Sequence, residues 1–143
     1  QGSEGDIVSG GKKTISDSLA IEFETHFKPL YKDQPLFYEI HEMLSELGYT
    51  IIDISSGDHY YRWARDGKPS PPNPDGEIVE QEPLYLNFSD VSRERVLKLM
   101  IISILYGKKS IAYHLLDEQS DSFSEREYNT LTHIINEIPS KKR

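Results

Sequence analysis

Apolar positions along the chain change their period several times, and each change marks an element. Leu19 to Phe23 is a short apolar run broken by one carboxylate, the pattern of a strand buried on most sides. Pro29 and Pro35 bracket a loop, since each disfavours helix at the residue before it. Leu36, Phe37, Ile40, Met43, Leu44 and Leu47 then fall on one helical stripe. Asp33 is positioned to cap its start, and Gly48 to end it in a left-handed conformation. Tyr49 to Ile54 returns as a strand. Strand, helix, strand predicts a β-α-β unit whose default is a parallel pair with a right-handed crossover.

On either side of this unit the pattern is weaker. Residues 3 to 17 offer Ile7, Val8 and Ile15 as a helix face, but Gly5, Gly10 and Gly11 each weaken a helix by about 1 kcal/mol relative to Ala. After the Ser55–Asp58 turn cluster, His59 to Trp63 reads as extended. Residues 65 to 82 hold Pro69, Pro71, Pro72 and Pro74, which predicts a long loop over most of that length. Leu84 to Phe88 resumes as a strand. From Ser89 the period becomes helical, with Val91, Val96, Leu97, Met100, Ile101, Ile104 and Leu105 on one face and Gly107 at its end. A second helix is predicted over Lys108 to Asp117. Ser124 and Glu127 form a capping box that opens a third, with Tyr128, Leu131, Ile134, Ile135 and Ile138.

A chain of 143 residues with 36% hydrophobic and 28% charged positions suits a globular fold rather than disorder. A net charge of −8 argues against nucleic acid as a partner, because no basic stripe is available to displace counterions. The absence of cysteine excludes disulfides, thiolate catalysis and cysteine-ligated zinc, and fits a reducing, cytoplasmic setting. No apolar run approaches a membrane span, and no signal peptide opens the sequence. Gly10-Gly11-Lys12-Lys13-Thr14 fails the spacing of a phosphate-binding loop. No Gly-x-Ser-x-Gly elbow supports hydrolase chemistry.

Two candidates for chemistry stand out. Glu24 and His26 are two apart on an extended segment and so point the same way, and a carboxylate beside an imidazole makes the imidazole a better base. The alternative is a capping Glu24 and a half-buried rim His26. His41, beside Glu42 on the helix, is expected to face solvent. His41, His59, His114 and His133 show no ligand spacing with each other or with carboxylates, so no metal site is expected.

The segment EFETHFKPLYKDQPLFYEIHEMLSELGYTIIDI resembles the C-terminal half of the FkbM-type methyltransferase domain, in which a Glu-x-His strand end precedes a PLY-x-x-QPLF loop-helix and a GY strand. Gln1-Gly2-Ser3-Glu4 is similar to the tail of that family's Asp-x-Gln-Gly-Ser-Glu element. Tyr61-Arg62-Trp63 and Glu82-Pro83-Leu84-Tyr85-Leu86 resemble its last two strands. The resemblance covers residues 1 to 88 and implies the later half of a Rossmann-like class I sheet, with the last strand antiparallel between its neighbours. Residues 89 to 143 have no counterpart and read as a helical extension.

It further implies S-adenosyl-L-methionine as cofactor and O-methylation of a small hydroxyl acceptor such as a sugar or glycolipid. His26 and Glu24 would be catalytic, Gln1 would touch the cofactor, and Glu4, Tyr31 and Gln34 would shape the acceptor pocket. The chain has no initiating Met, and the matched motif begins at its first residue. The expectation is therefore a fragment whose cofactor-gripping strands lie upstream, inactive alone and prone to self-association through the Leu19–Phe23 edge. The rival expectation is a non-enzymatic α/β binding module that completes its sheet on a partner.

Overall fold

A computed structural model describes residues 2–55, 59–60 and 77–139. The fold is mixed α/β and divides into two units, Gln1–Ser89 and Asp90–Arg143. The first contains α1 (Glu4–Gly10), α2 (Lys12–Asp17), β1 (Ala20–Glu22), β2 (Thr25–His26), α3 (Phe37–Glu46), β3 (Tyr49–Ser55), β4 (His59–Tyr60), β5 (Glu77–Ile78) and β6 (Glu80–Asn87). The second contains α4 (Arg93–Leu105), α5 (Lys109–Glu118), a 3₁₀ turn at Ser120–Ser122 and α6 (Glu125–Glu137).

β6 is the centre of the first unit. β1 and β2 pair with one side of it and β3 with the other, all antiparallel. β1 and β3 therefore run in the same direction with β6 between them. The adjacent parallel pair predicted for the β-α-β unit is not formed, because β6 occupies the position between its strands. The last strand does lie antiparallel between its neighbours. The outer side of β1 has no strand partner among the described residues.

β6 begins at Glu80, four residues before the predicted start, and carries Pro83 inside a strand paired on both sides. The ladder shows how this is tolerated. Glu22 faces Leu84 and Thr25 faces Gln81, so the register runs on unchanged and Phe23 stands opposite Pro83. Asn87 N–H donates to Leu19 O at 2.9 Å and Phe27 N–H to Val79 O at 2.8 Å. Alternate β6 residues from 79 to 87, Pro83 among them, thus turn their backbone polar groups toward β1 and β2. Pro83 has no N–H to give. One strand is thereby split into β1 and β2, and the lapse falls at Phe23 and Glu24.

One face of the sheet carries the core of this unit. Val8, Ile40, Leu44, Tyr49 and Tyr85 are buried together, with Ile15, Ile21, Phe23, Met43, Leu47 and Ile51 packed around them. Burying a side chain of this size contributes about 1.5–3 kcal/mol. Gly48, at φ 85°, ends α3 in the left-handed region as expected. Asp33 does not cap α3. It sits at φ 58° in the preceding turn, a conformation Asp tolerates, and the Leu36 N–H is satisfied at 2.8 Å by Glu39 Oε2 instead. The N-terminal helix survives its glycines because one of them is needed. A Cβ on Gly5 would lie 2.6 Å from Pro35 Cγ, so the close approach of α1 to the start of α3 requires its absence. Tyr49 O–H, 2.6 Å from Ile15 O and 3.0 Å from Ser18 O, ties the end of α2 to β3.

In the second unit the buried residues are Val96, Leu99, Met100, Ser103, Ala112, Leu115, Leu116, Phe123 and Ile135. The buried stripe of α4 is rotated from the predicted one: Ile101 and Leu105 are exposed, as is Val91, and Leu99 and Ser103 take their place. A helical run with apolar residues on most sides gives a weak moment and so an uncertain facing. The Ser124–Glu127 capping box forms as expected, Glu127 N–H reaching Ser124 Oγ at 3.3 Å and Ser124 N–H reaching Glu127 Oε2 at 2.9 Å. The Ser124 N–H and hydroxyl, both donating to Oε2, hold the Glu127 carboxyl below the usual carboxylate range. Among the described residues no helix is long and apolar enough to cross a membrane.

Candidate functional site

The candidate site follows from strand register. His26 on β2 stands directly opposite Glu80 on β6, and residues opposite each other in an antiparallel pair share a face. Glu24, two positions earlier, projects to the same side. His26 Nε2 lies 3.5 Å from Glu24 Oε1 and 3.4 Å from Glu80 Oε2. Side-chain exposure is 1% for His26, 37% for Glu24 and 22% for Glu80. The imidazole is enclosed, and the carboxylates open the cluster to solvent.

Both distances are longer than an ordinary N···O hydrogen bond of about 2.7–3.2 Å. His26 Nε2 and Glu24 Oε1 are both buried with no hydrogen-bond partner among the described residues. Leaving such atoms unsatisfied costs about 1–3 kcal/mol each. Buried polar atoms without a partner are places where function is sought.

The structure brings together two of the residues singled out from sequence, Glu24 and His26, and gives Glu4, Tyr31 and Gln34 other surroundings. Glu4 lies on α1 and lines a different groove with Ile7, Val8, Ile15, Ile21 and Phe23. Tyr31 is exposed and its ring lies over Gly2. Gln34 is buried, and its Oε1 accepts from Leu30 N–H at 2.9 Å and Tyr31 N–H at 3.2 Å, so it closes the Pro29–Pro35 loop. Gln1 lies outside the described residues, as do Tyr61, Arg62 and Trp63.

Glu80 was missed because it falls at the end of the proline-rich stretch read as loop. No local spacing links it to His26. The available signal was the alternation of β6: with Leu84 facing Glu22, every second residue back toward Glu80 shares the face of Glu24 and His26.

His41 corrects another expectation. It does not face solvent; it is half-buried, its ring stacked on Phe37 at 5.7 Å and tilted against Tyr85 at 5.8 Å, with Nδ1 3.2 Å from Tyr85 Oη. Phe27 extends this array beyond Phe37 and Phe23 extends it beyond Tyr85. Burial pushes the Tyr85 phenol up to about 12. The phenol keeps its proton at ordinary pH and lies within hydrogen-bonding distance of Nδ1. His114 pairs with Glu118 at 3.3 Å, but both are exposed and one turn apart on α5, the arrangement of a solvated surface pair.

No family model matches the chain, and no curated protein or solved structure does.

Proposed function

We propose that the chain forms the C-terminal part of an S-adenosyl-L-methionine-dependent methyltransferase of FkbM type, acting on the hydroxyl of a small acceptor such as a sugar or glycolipid. The observation that carries this reading is the strand order, with β6 antiparallel between β1 and β3 and Glu24-x-His26 at the carboxyl end of the strand that β1 and β2 share. In open α/β sheets ligands gather outside the carboxyl ends of the strands.

The cofactor itself finds no cradle among the described residues. Gly10 and Gly11 join two helices rather than follow a strand, and Gln1, the residue assigned to the cofactor by resemblance, lies outside them. What the chain offers on this reading is the acceptor side. Bound cofactor would supply the methyl group, and a hydroxyl acceptor needs a base to take its proton. His26 Nε2 is enclosed, so Glu24 is the group that an acceptor reaches. The roles expected from sequence are thus reordered: Glu24 takes the proton, and His26 stands behind it as a positioning residue.

The test is turnover in a protein carrying the complete sheet. Glu24→Gln should lower it about 100-fold or more with cofactor affinity unchanged. Undiminished turnover removes Glu24 from the chemistry. The 143-residue chain alone should show no measurable cofactor binding by calorimetry; micromolar affinity would contradict the strand assignment on which the reading rests.

A further inference from the structure

The cluster at the β2–β6 junction can hold more than a proton. We propose that Glu24, His26 and Glu80 bind a divalent cation, with zinc the preferred ion. The three ligand atoms, His26 Nε2 and one oxygen from each carboxylate, all lie within 4.8 Å of one another. Two of the separations are 3.4 and 3.5 Å. Zinc bound by nitrogen and carboxylate oxygen at about 2.1 Å in a tetrahedron sets ligand atoms about 3.4 Å apart. Both separations match an edge of such a tetrahedron, and the two carboxylate oxygens lie within 4.8 Å of each other.

Burial supports the same conclusion independently of spacing. His26 Nε2 is enclosed, lacks a hydrogen-bond partner among the described residues, and lies between the two carboxylates. A cation on its lone pair satisfies that nitrogen and the inward oxygen of Glu24 together. The carboxylates remain 37% and 22% exposed, which leaves an entry path and a fourth position for water. One imidazole with two carboxylates is a donor set of intermediate hardness. The nitrogen favours zinc over magnesium and calcium, which prefer all-oxygen shells. A cation there would polarise a bound hydroxyl or water. The site holds whether or not the methyl-transfer reading does, since it rests on three side chains and their distances.

The experiment uses the 143-residue chain and the metal alone. Titration with zinc chloride should give one site per chain at micromolar concentration, and Co2+ in its place should give the intense visible absorption of a tetrahedral ion. Mg2+ in equal excess should displace neither. Glu80→Gln and His26→Gln should each weaken zinc binding by about 10–100-fold or more, whereas His114→Ala leaves it unchanged. Melting in EDTA checks that the variants fold; should His26→Gln fail to fold, Glu80→Gln, at a partly exposed position, decides. No saturable binding, an octahedral cobalt spectrum, or wild-type affinity in Glu80→Gln would overturn the proposal.

Discussion

His26 and His41 sit on opposite faces of one sheet, and their surroundings differ in every respect that matters. Glu80, which faces His26, and Tyr85, which meets His41, are an odd number of residues apart on β6 and so point to opposite sides. His41 is satisfied: two ring neighbours, a phenol bonded to Nδ1, and an apolar core beside it. His26 is more deeply buried, flanked by carboxylates, and has no hydrogen bond at Nε2 among the described residues. The first arrangement stabilises the fold. The second is tolerated by the fold, and the difference separates a structural histidine from a functional one better than burial alone.

Mutations should divide along the same line. On the His41 face, Tyr85→Ala removes a ring that touches Phe23 and His41 and should lower the unfolding free energy by about 3–5 kcal/mol in urea. A loss below about 1 kcal/mol would mean the aromatic array is ornamental.

The same phenol sets a pH dependence. Its folded pKa is raised from 10.0 to about 12, so the folded state holds the proton more tightly. The associated stability is fully present below pH 10 and falls by up to about 1.4 kcal/mol per unit as pH rises toward 12. Other tyrosines and the lysines titrate there too, so the measured quantity is the difference from Tyr85→Phe, whose alkaline decline should be shallower. Parallel declines would deny the phenol its buried setting.

Gly5→Ala should destabilise by about 1 kcal/mol or more, although propensity alone predicts a gain of similar size, because the new Cβ meets Pro35. Thermal melting gives the sign directly. Smallest of all, Glu24→Gln on the other face should shift stability by less than about 0.5 kcal/mol in EDTA, and upward. A large loss would show that Glu24 supports the fold.

The elements with strong periods were legible in the sequence. The stripe of Ile40, Met43, Leu44 and Leu47, the left-handed Gly48 and the Ser124–Glu127 box all form as their chemistry dictates. Facing was not, and neither was pairing from period alone, although the family resemblance did place the last strand antiparallel between its neighbours. Period identifies a strand but does not choose its neighbour, so β6 between β1 and β3 displaced the simpler parallel pair. Apolar residues on several sides of α4 left its buried stripe undecided, and Ile101 and Leu105 proved exposed. Pro83 concealed the start of β6, because proline argues against a strand paired on both sides unless its partner lapses opposite. Two of the three residues of the candidate site were visible, since Glu24 and His26 are local to one segment. Glu80 reaches them only through the β2–β6 register, which is a property of the fold.

The most direct measurement is the side-chain nitrogen NMR spectrum of the histidines, recorded with and without zinc. The account predicts that zinc moves Nε2 of His26 into the range of a coordinated nitrogen, while the ring nitrogens of His41, bonded to the Tyr85 phenol on the other face, do not move. Zinc shifts at His41, or none at His26, would contradict the division between the two faces.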